Sequence, residues 1–79
     1  MSTFNSAAAT VIKATAPGAT AAGPISIPGL LAGDVVVQMD PAGFGSGVEE
    51  IVTVPDQLQQ IANLDWSTVT FTFYLLRGV

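Results

Sequence analysis

Thr68-Val69-Thr70-Phe71-Thr72-Phe73-Tyr74-Leu75-Leu76-Arg77 alternates threonine with apolar side chains for most of its length. Successive residues of a strand point to opposite faces, and β-branched and aromatic side chains favour that backbone. The stretch therefore predicts a β-strand with Val69, Phe71 and Phe73 on a buried face and the threonines on the other.

Upstream, Val48-Glu49-Glu50-Ile51-Val52-Thr53-Val54 also has strand character, ended by Pro55-Asp56. Between the two, residues 57–63 are ambiguous. Leu58 and Ile61, three apart, suit a helical turn, whereas the Gln-rich alternation suits a strand or irregular crossing, which is the preferred reading. Asp40-Pro41-Ala42-Gly43-Phe44-Gly45-Ser46-Gly47 predicts a hairpin loop too glycine-rich to hold a fixed element, with Phe44 at its tip and outside the core.

Farther back, the segment from Ile27 to Met39 reads as strand, turn and strand. Leu30 fits a core plug just before a turn, and Gly33 fits the positive φ that lets the chain re-enter as a strand. Val35 to Met39 is apolar on both faces, which predicts a central strand. Pro24-Ile25-Ser26-Ile27 and the alternating Thr10 to Thr15 predict two more strands, with a turn at Ala16-Pro17-Gly18-Ala19. Five or six short strands without a long helix predict an all-β fold, a small antiparallel β-sandwich or partly open barrel. This domain is expected over residues 10–79. Residues 1–9 are small and polar and predict a flexible N-terminal arm with Phe4 its one anchor, either a frayed end or an arm that docks on a neighbour.

The length, 79 residues opening on Met1, reads as one complete short domain. A domain of this size buries roughly 60–65% of the surface its unfolded chain exposes, which leaves it marginal unless something staples it. Cysteine and histidine are both absent, so no disulfide and no histidine metal site is available. Hydrophobic residues make up 49% of the chain and charged ones only 10%. Such a surplus of apolar surface predicts that neighbouring chains cover part of it, and hence an oligomer. The net charge is −4, and Lys13 and Arg77 are the only cations, which excludes a phosphate-binding face for nucleic acid or an anionic membrane. No apolar run approaches the roughly 20 residues of a membrane-spanning helix. The first ten residues lack the charge and apolar core of a secretory signal, so synthesis in a cytoplasm is expected.

The same residues offer little for catalysis. A phosphate loop at Gly43 to Gly47 would need a Lys before its Ser or Thr and a helix after it, and Val48-Glu49-Glu50 follows instead. Glu49 and Glu50 are adjacent, so in a strand they point apart and cannot converge on one atom. Asp34, Asp40, Asp56 and Asp65 stand beside Gly, Pro or strand ends, where Asp caps turns, and lack the spacing of a calcium loop. Serines have no histidine to activate them. The chain is thus expected to be no enzyme and to hold no cofactor or metal. Trp66 fits a core plug or a contact residue equally well. Phe4, Phe44 and Trp66 are the candidate interface residues, because an aromatic among small flexible neighbours can order on contact and fill a partner's pocket.

From Ile27-Pro28-Gly29-Leu30-Leu31-Ala32-Gly33-Asp34-Val35-Val36, and again from Asn63-Leu64-Asp65-Trp66-Ser67 through Tyr74-Leu75-Leu76-Arg77-Gly78, the chain resembles small virion proteins of tailed bacteriophages. The resemblance covers about half the chain and implies a capsid decoration or cement subunit, or a small head or tail accessory protein; with the surplus of apolar surface, the favoured assembly is a homotrimer packed on the major capsid protein. A tail, tube or fibre subunit, or a small adhesin-like module, is the alternative. Either would reside in the virion after synthesis in the host cytoplasm.

Overall fold

The computed structural model describes residues 2–4 and 8–78. Five strands follow in chain order: β1 (Thr10–Pro17), β2 (Gly23–Ser26), β3 (Val35–Asp40), β4 (Gln57–Gln60) and β5 (Thr70–Arg77). β5 is the middle of a three-stranded antiparallel sheet with β1 and β3 on its flanks, while β2 and β4 form a second antiparallel pair. The fold is all-β, as the alternating patterns predict. Residues 57–60 are a strand.

The inner row of β5 makes the core. Phe71, Phe73 and Leu75 are fully buried, and Ile25, Ile27, Leu30, Val48, Val52 and Leu58 close over them from the other side. Ile12 and Ala14 of β1 and Val36 and Met39 of β3 pack against the same cluster. Leu30 does plug the core, and Gly33, at φ +96°, turns the chain into β3. A side chain at that φ would be strained, which is why glycine serves there.

Three expectations change. β3 is an edge strand, not a central one, because β5 takes the centre by pairing along its length with both neighbours. A bulge between Val36 and Gln38 keeps Val36 and Met39 inward and leaves Val37 55% exposed. Apolar residues on both faces therefore do not mean cover on both faces. Bulges at sheet edges also blunt them as templates for further pairing.

Residues 48–54 do not form a strand of their own. They pair first with β4, where Glu49 N–H donates to the Gln59 carbonyl (3.0 Å), and then with the start of β3, where the Glu50 carbonyl accepts from Val36 N–H (2.8 Å). Only the isolated bridges Val48↔Gln60 and Val35↔Ile51 remain of a ladder, since one segment stitches two differently oriented strands and bends between them. This stitch runs β1-β5-β3 on through residues 48–52 to β4 and β2, a partly open barrel. The opening lies between β1 and β2, where a cleft of ≈ 360 Å³ is lined by Ile12, Ala14, Ile27, Leu30, Lys13 and Arg77.

The glycine-rich loop does hold an element, a single 3₁₀ turn at Gly45–Gly47. Of the expected N-terminal arm, Met1 and residues 5–7 lie outside the described residues, as does Val79 at the end of the domain; residues 2–4 and 8–9 are exposed.

Replacing Phe71 by Ala should remove about 3–5 kcal/mol, most of what so small a domain holds in reserve, whereas Thr70→Ala on the exposed face should be mild. Urea melts followed by circular dichroism would rank the two. The reverse order would mean that the faces of β5 are assigned one residue out of step.

Candidate interaction surface

Two of the three residues singled out from the sequence, Phe44 and Trp66, meet on one side of the core. Trp66 is fixed by its backbone: its N–H donates to the Ala19 carbonyl (2.9 Å), and its carbonyl accepts from Val69 N–H (3.0 Å). Its side chain lies against Gly18 and Gly47. A Cβ on Gly18 would stand 2.6 Å from the Trp66 Cβ and 2.8 Å from Phe71 Cε2, and one on Gly47 would run into the indole ring. Glycine at these two positions is thus required by packing.

Phe44 stands edge-on to this tryptophan, with ring centres 5.0 Å apart and planes at 85°, and 5.1 Å from Phe71. Trp66 and Phe71 complete the triangle at 5.8 Å. Edge-to-face pairs at such separations are the favoured aromatic geometry. The expectation that Phe44 stands outside the core is therefore overturned: the 3₁₀ turn folds it back, half-buried, as a lid on the core. Phe4 is apart from this cluster and 91% exposed.

Among the described residues the buried polar side chains, Asp34 and Gln60, are fully engaged. Asp34, 2% exposed, accepts from Leu31 N–H (2.9 Å) and takes both Arg77 Nε (2.9 Å) and Nη2 (2.8 Å). The second Arg77 donor atom also reaches the Gly29 carbonyl at 2.9 Å. The turn-capping role expected of Asp34 holds, as it does for Asp56, which accepts from Gly29 N–H, and for Asp65, which accepts from Ser67. The clamp to Arg77, 43 residues away, has no local signature. Gln60 is likewise buried, its amide oxygen accepting from Ala19 N–H (2.8 Å) and its amide nitrogen set among the carbonyls of Leu64 (2.8 Å), Ala62 (3.0 Å), Ala19 (3.3 Å) and Ala21 (3.4 Å).

The outer face of the three-stranded sheet carries a feature the sequence reading missed. Val11 pairs with Leu76, Leu76 with Val35, and Val35 with Ile51. Directly paired residues share a face, so these four make one apolar row across the whole sheet. Val11 at one end is 69% exposed and Ile51 at the other 47%. The next rows, Lys13-Tyr74-Gln38 and Thr15-Thr72-Asp40, are polar. A signal existed in β5 itself, where the outward positions pass from Thr70 and Thr72 through Tyr74 to Leu76.

Such a surface can bury area against protein. Among the described residues no group of three or more acidic, His or Cys side chains lies together in a way that could hold a metal ion. No described helix is long and apolar enough to cross a membrane.

Two consequences can be measured. Arg77 holds the Asp34 carboxyl below its ordinary value of 3.8, chiefly by hydrogen bonding, while burial opposes the shift. A carboxyl more acidic in the folded than in the unfolded chain adds stability above pH 3.8 that is lost as pH falls through the lower folded value. Asp34→Ala should therefore cost about 2–3 kcal/mol at neutral pH and flatten the acid limb of a stability profile taken by denaturant melts. An acid limb as steep as in the parent would mean that other carboxylates set it. Phe44→Ala should cost about 1–3 kcal/mol, and Gly47→Ala a similar amount through the clash with Trp66. Thermal melts unchanged in both would refute the lid.

No protein-family model, curated protein or solved structure matches this chain, so its function is argued from its own residues.

Proposed function

We propose that this chain is a structural subunit of a phage virion: a capsid decoration or cement protein that assembles as a trimer and stabilises the head by packing on the major capsid protein. The observation that carries the reading is the exposed apolar row Val11-Leu76-Val35-Ile51 on a domain with 10% charged residues. An apolar stripe across a sheet face is costly in water and is relieved when another protein covers it. Phe4 adds a second, separate anchor on the chain preceding β1. A turn fixed by Gly33 and Asp34 at one end of β5 and the aromatic packing of Phe44, Trp66 and Phe71 at the other give a preformed body that loses little entropy on docking.

The sites of contact proposed for the capsid are Phe4 and the outward parts of Phe44 and Trp66. Phe4→Ala makes the cleanest test, because a side chain 91% exposed contributes almost nothing to the subunit's own melt. Phage particles stripped of the protein, incubated with purified subunit and imaged by electron microscopy, should regain a regular density on the head. The Phe4→Ala subunit should bind more weakly by about 1–3 kcal/mol while melting like the parent. Density on the tail instead, or no rebinding at all, would overturn the decoration role.

A further inference from the structure

Among the described residues β1 and β2 each pair with a strand on one side only, and their bare edges border the cleft where the barrel stays open. Hydrogen bonds between antiparallel strands fall on alternate residues. Gly18 N–H donates to the Val69 carbonyl (3.0 Å) one step beyond the Pro17↔Thr70 pair, so in β1 the even-numbered residues turn their backbone toward β5. Val11, Lys13 and Thr15 therefore direct their N–H and C=O groups into the gap. In β2 the same count runs from Ile27 N–H, which donates to the Asp56 carbonyl (2.9 Å), and leaves the backbone of Ser26 turned to the gap. Pro17 and Pro24, which have no N–H, hold the corresponding places at the end where residues 18–22 join the two strands. Backbone donors are thus missing at the joined end of the gap and present at its mouth.

The mouth has an apolar floor and a charged rim. Ile12 and Ala14 of β1 are half-buried, and Ile27 and Leu30 on the other side of the cleft are buried. Lys13, between Ile12 and Ala14, points to the outer side of the sheet, its ammonium 5.9 Å from the centre of the Tyr74 ring. Arg77, at the end of the cleft, is committed to Asp34 and the Gly29 carbonyl, so Lys13 is the one cation left for a partner in a chain of net charge −4. A lysine on a bare edge also disfavours a second copy there, because two β1 edges that overlap around Lys13 bring like charges together. Residues 1–9 of a neighbouring copy have no carboxylate side chain to offer, and the Glu49-Glu50 backbone is already bonded to β4 and β3.

We propose that this cleft takes an extended segment of a different protein as an added strand, antiparallel to β1, with a carboxylate side chain opposite Lys13 and an apolar side chain on either side of it. Directly paired residues share a face, so a Glu or Asp opposite Lys13 stands beside the ammonium on the outer side. Its two neighbours in the segment point inward, where Ile12, Ala14, Ile27 and Leu30 receive them. At the acidic residue the segment exchanges backbone N–H and C=O bonds with Lys13. In strand addition these main-chain bonds supply affinity and the alternating side chains supply selectivity. The recognised chemistry is an apolar-acidic-apolar run in extended form, and its recognition does not depend on a place in a phage head.

NMR of the isotope-labelled protein during titration with the peptide acetyl-Thr-Val-Glu-Val-Thr-Val-amide tests it. Binding should saturate, and the amides of Val11, Lys13, Thr15 and Ser26 should exchange with solvent more slowly in the complex. Replacing the peptide's Glu by Gln should weaken binding about threefold, and replacing it by Lys about tenfold. The Lys13→Glu protein should reverse that order and prefer the Lys peptide. Lys13 is exposed, so the variant should melt like wild type. If the reversal disturbs the fold, Lys13→Gln must still abolish the preference for the Glu peptide over the Gln peptide. A Glu peptide methylated on the glutamate nitrogen cannot donate to the Lys13 carbonyl and should not bind. No saturable binding, equal affinity for the three peptides, an unchanged order in the Lys13 variants, or full binding of the methylated peptide would overturn the added strand. Slower exchange of the same amides on raising the protein concentration without peptide would make a second copy the occupant, and would overturn it too.

Discussion

Everything in this domain hangs on β5, which is hydrogen-bonded on both sides and buries Phe71, Phe73 and Leu75 completely. A chain of 79 residues without cysteine or histidine has no disulfide or histidine-bound metal to lend stability, so its apolar burial must come from packing alone. Two phenylalanines and a leucine on one strand supply the widest part of that burial, and every other element is placed by the need to cover them. β1 and β3 extend the floor, while β2, β4 and the stitch at residues 48–52 form the roof. Because β5 comes last in the chain, its pairings are long-range: Pro17 with Thr70 and Thr10 with Arg77. The cost is loop-closure entropy, and topologies of this kind assemble late and cooperatively.

Polar groups are used sparingly, each where the backbone would otherwise be left unpaired. Gln60 is buried and serves the carbonyls of two loops at once. Asp34 caps the turn before β3 and also anchors Arg77 at the far end of β5, so one carboxylate ties the start of an edge strand to the end of the central one. Such groups favour one register over its neighbours, since a slip of one residue would strand a buried charge or amide without a partner. Glycine does similar work by its absence of a side chain, with Gly18 and Gly47 leaving room for Trp66 between them.

With the inner faces committed to the core, the outer face and edges are the surfaces left in contact with the surroundings. The apolar row from Val11 to Ile51 is a property of a surface assembled from four separate segments. The aromatic triangle of Phe44, Trp66 and Phe71 is chiefly internal, which shifts any role in contact toward the exposed rims of its first two members.

The sequence by itself determined the all-β class, the strands around Thr10, Pro24, Val35 and Thr70, the plug at Leu30, the turn at Gly33 and the buried face of β5. These follow from alternation and turn chemistry, which act between residues a few positions apart. Only the tertiary structure decided that β3 lies at an edge, that residues 48–52 stitch two sheets instead of forming a strand, and that Phe44 folds inward onto Trp66. The same holds for the partners of Asp34 and Gln60 and for the row from Val11 to Ile51. Each depends on which strands become neighbours. That choice is made by the total burial of the β5 rings, a sum over the whole chain to which no local window of sequence has access.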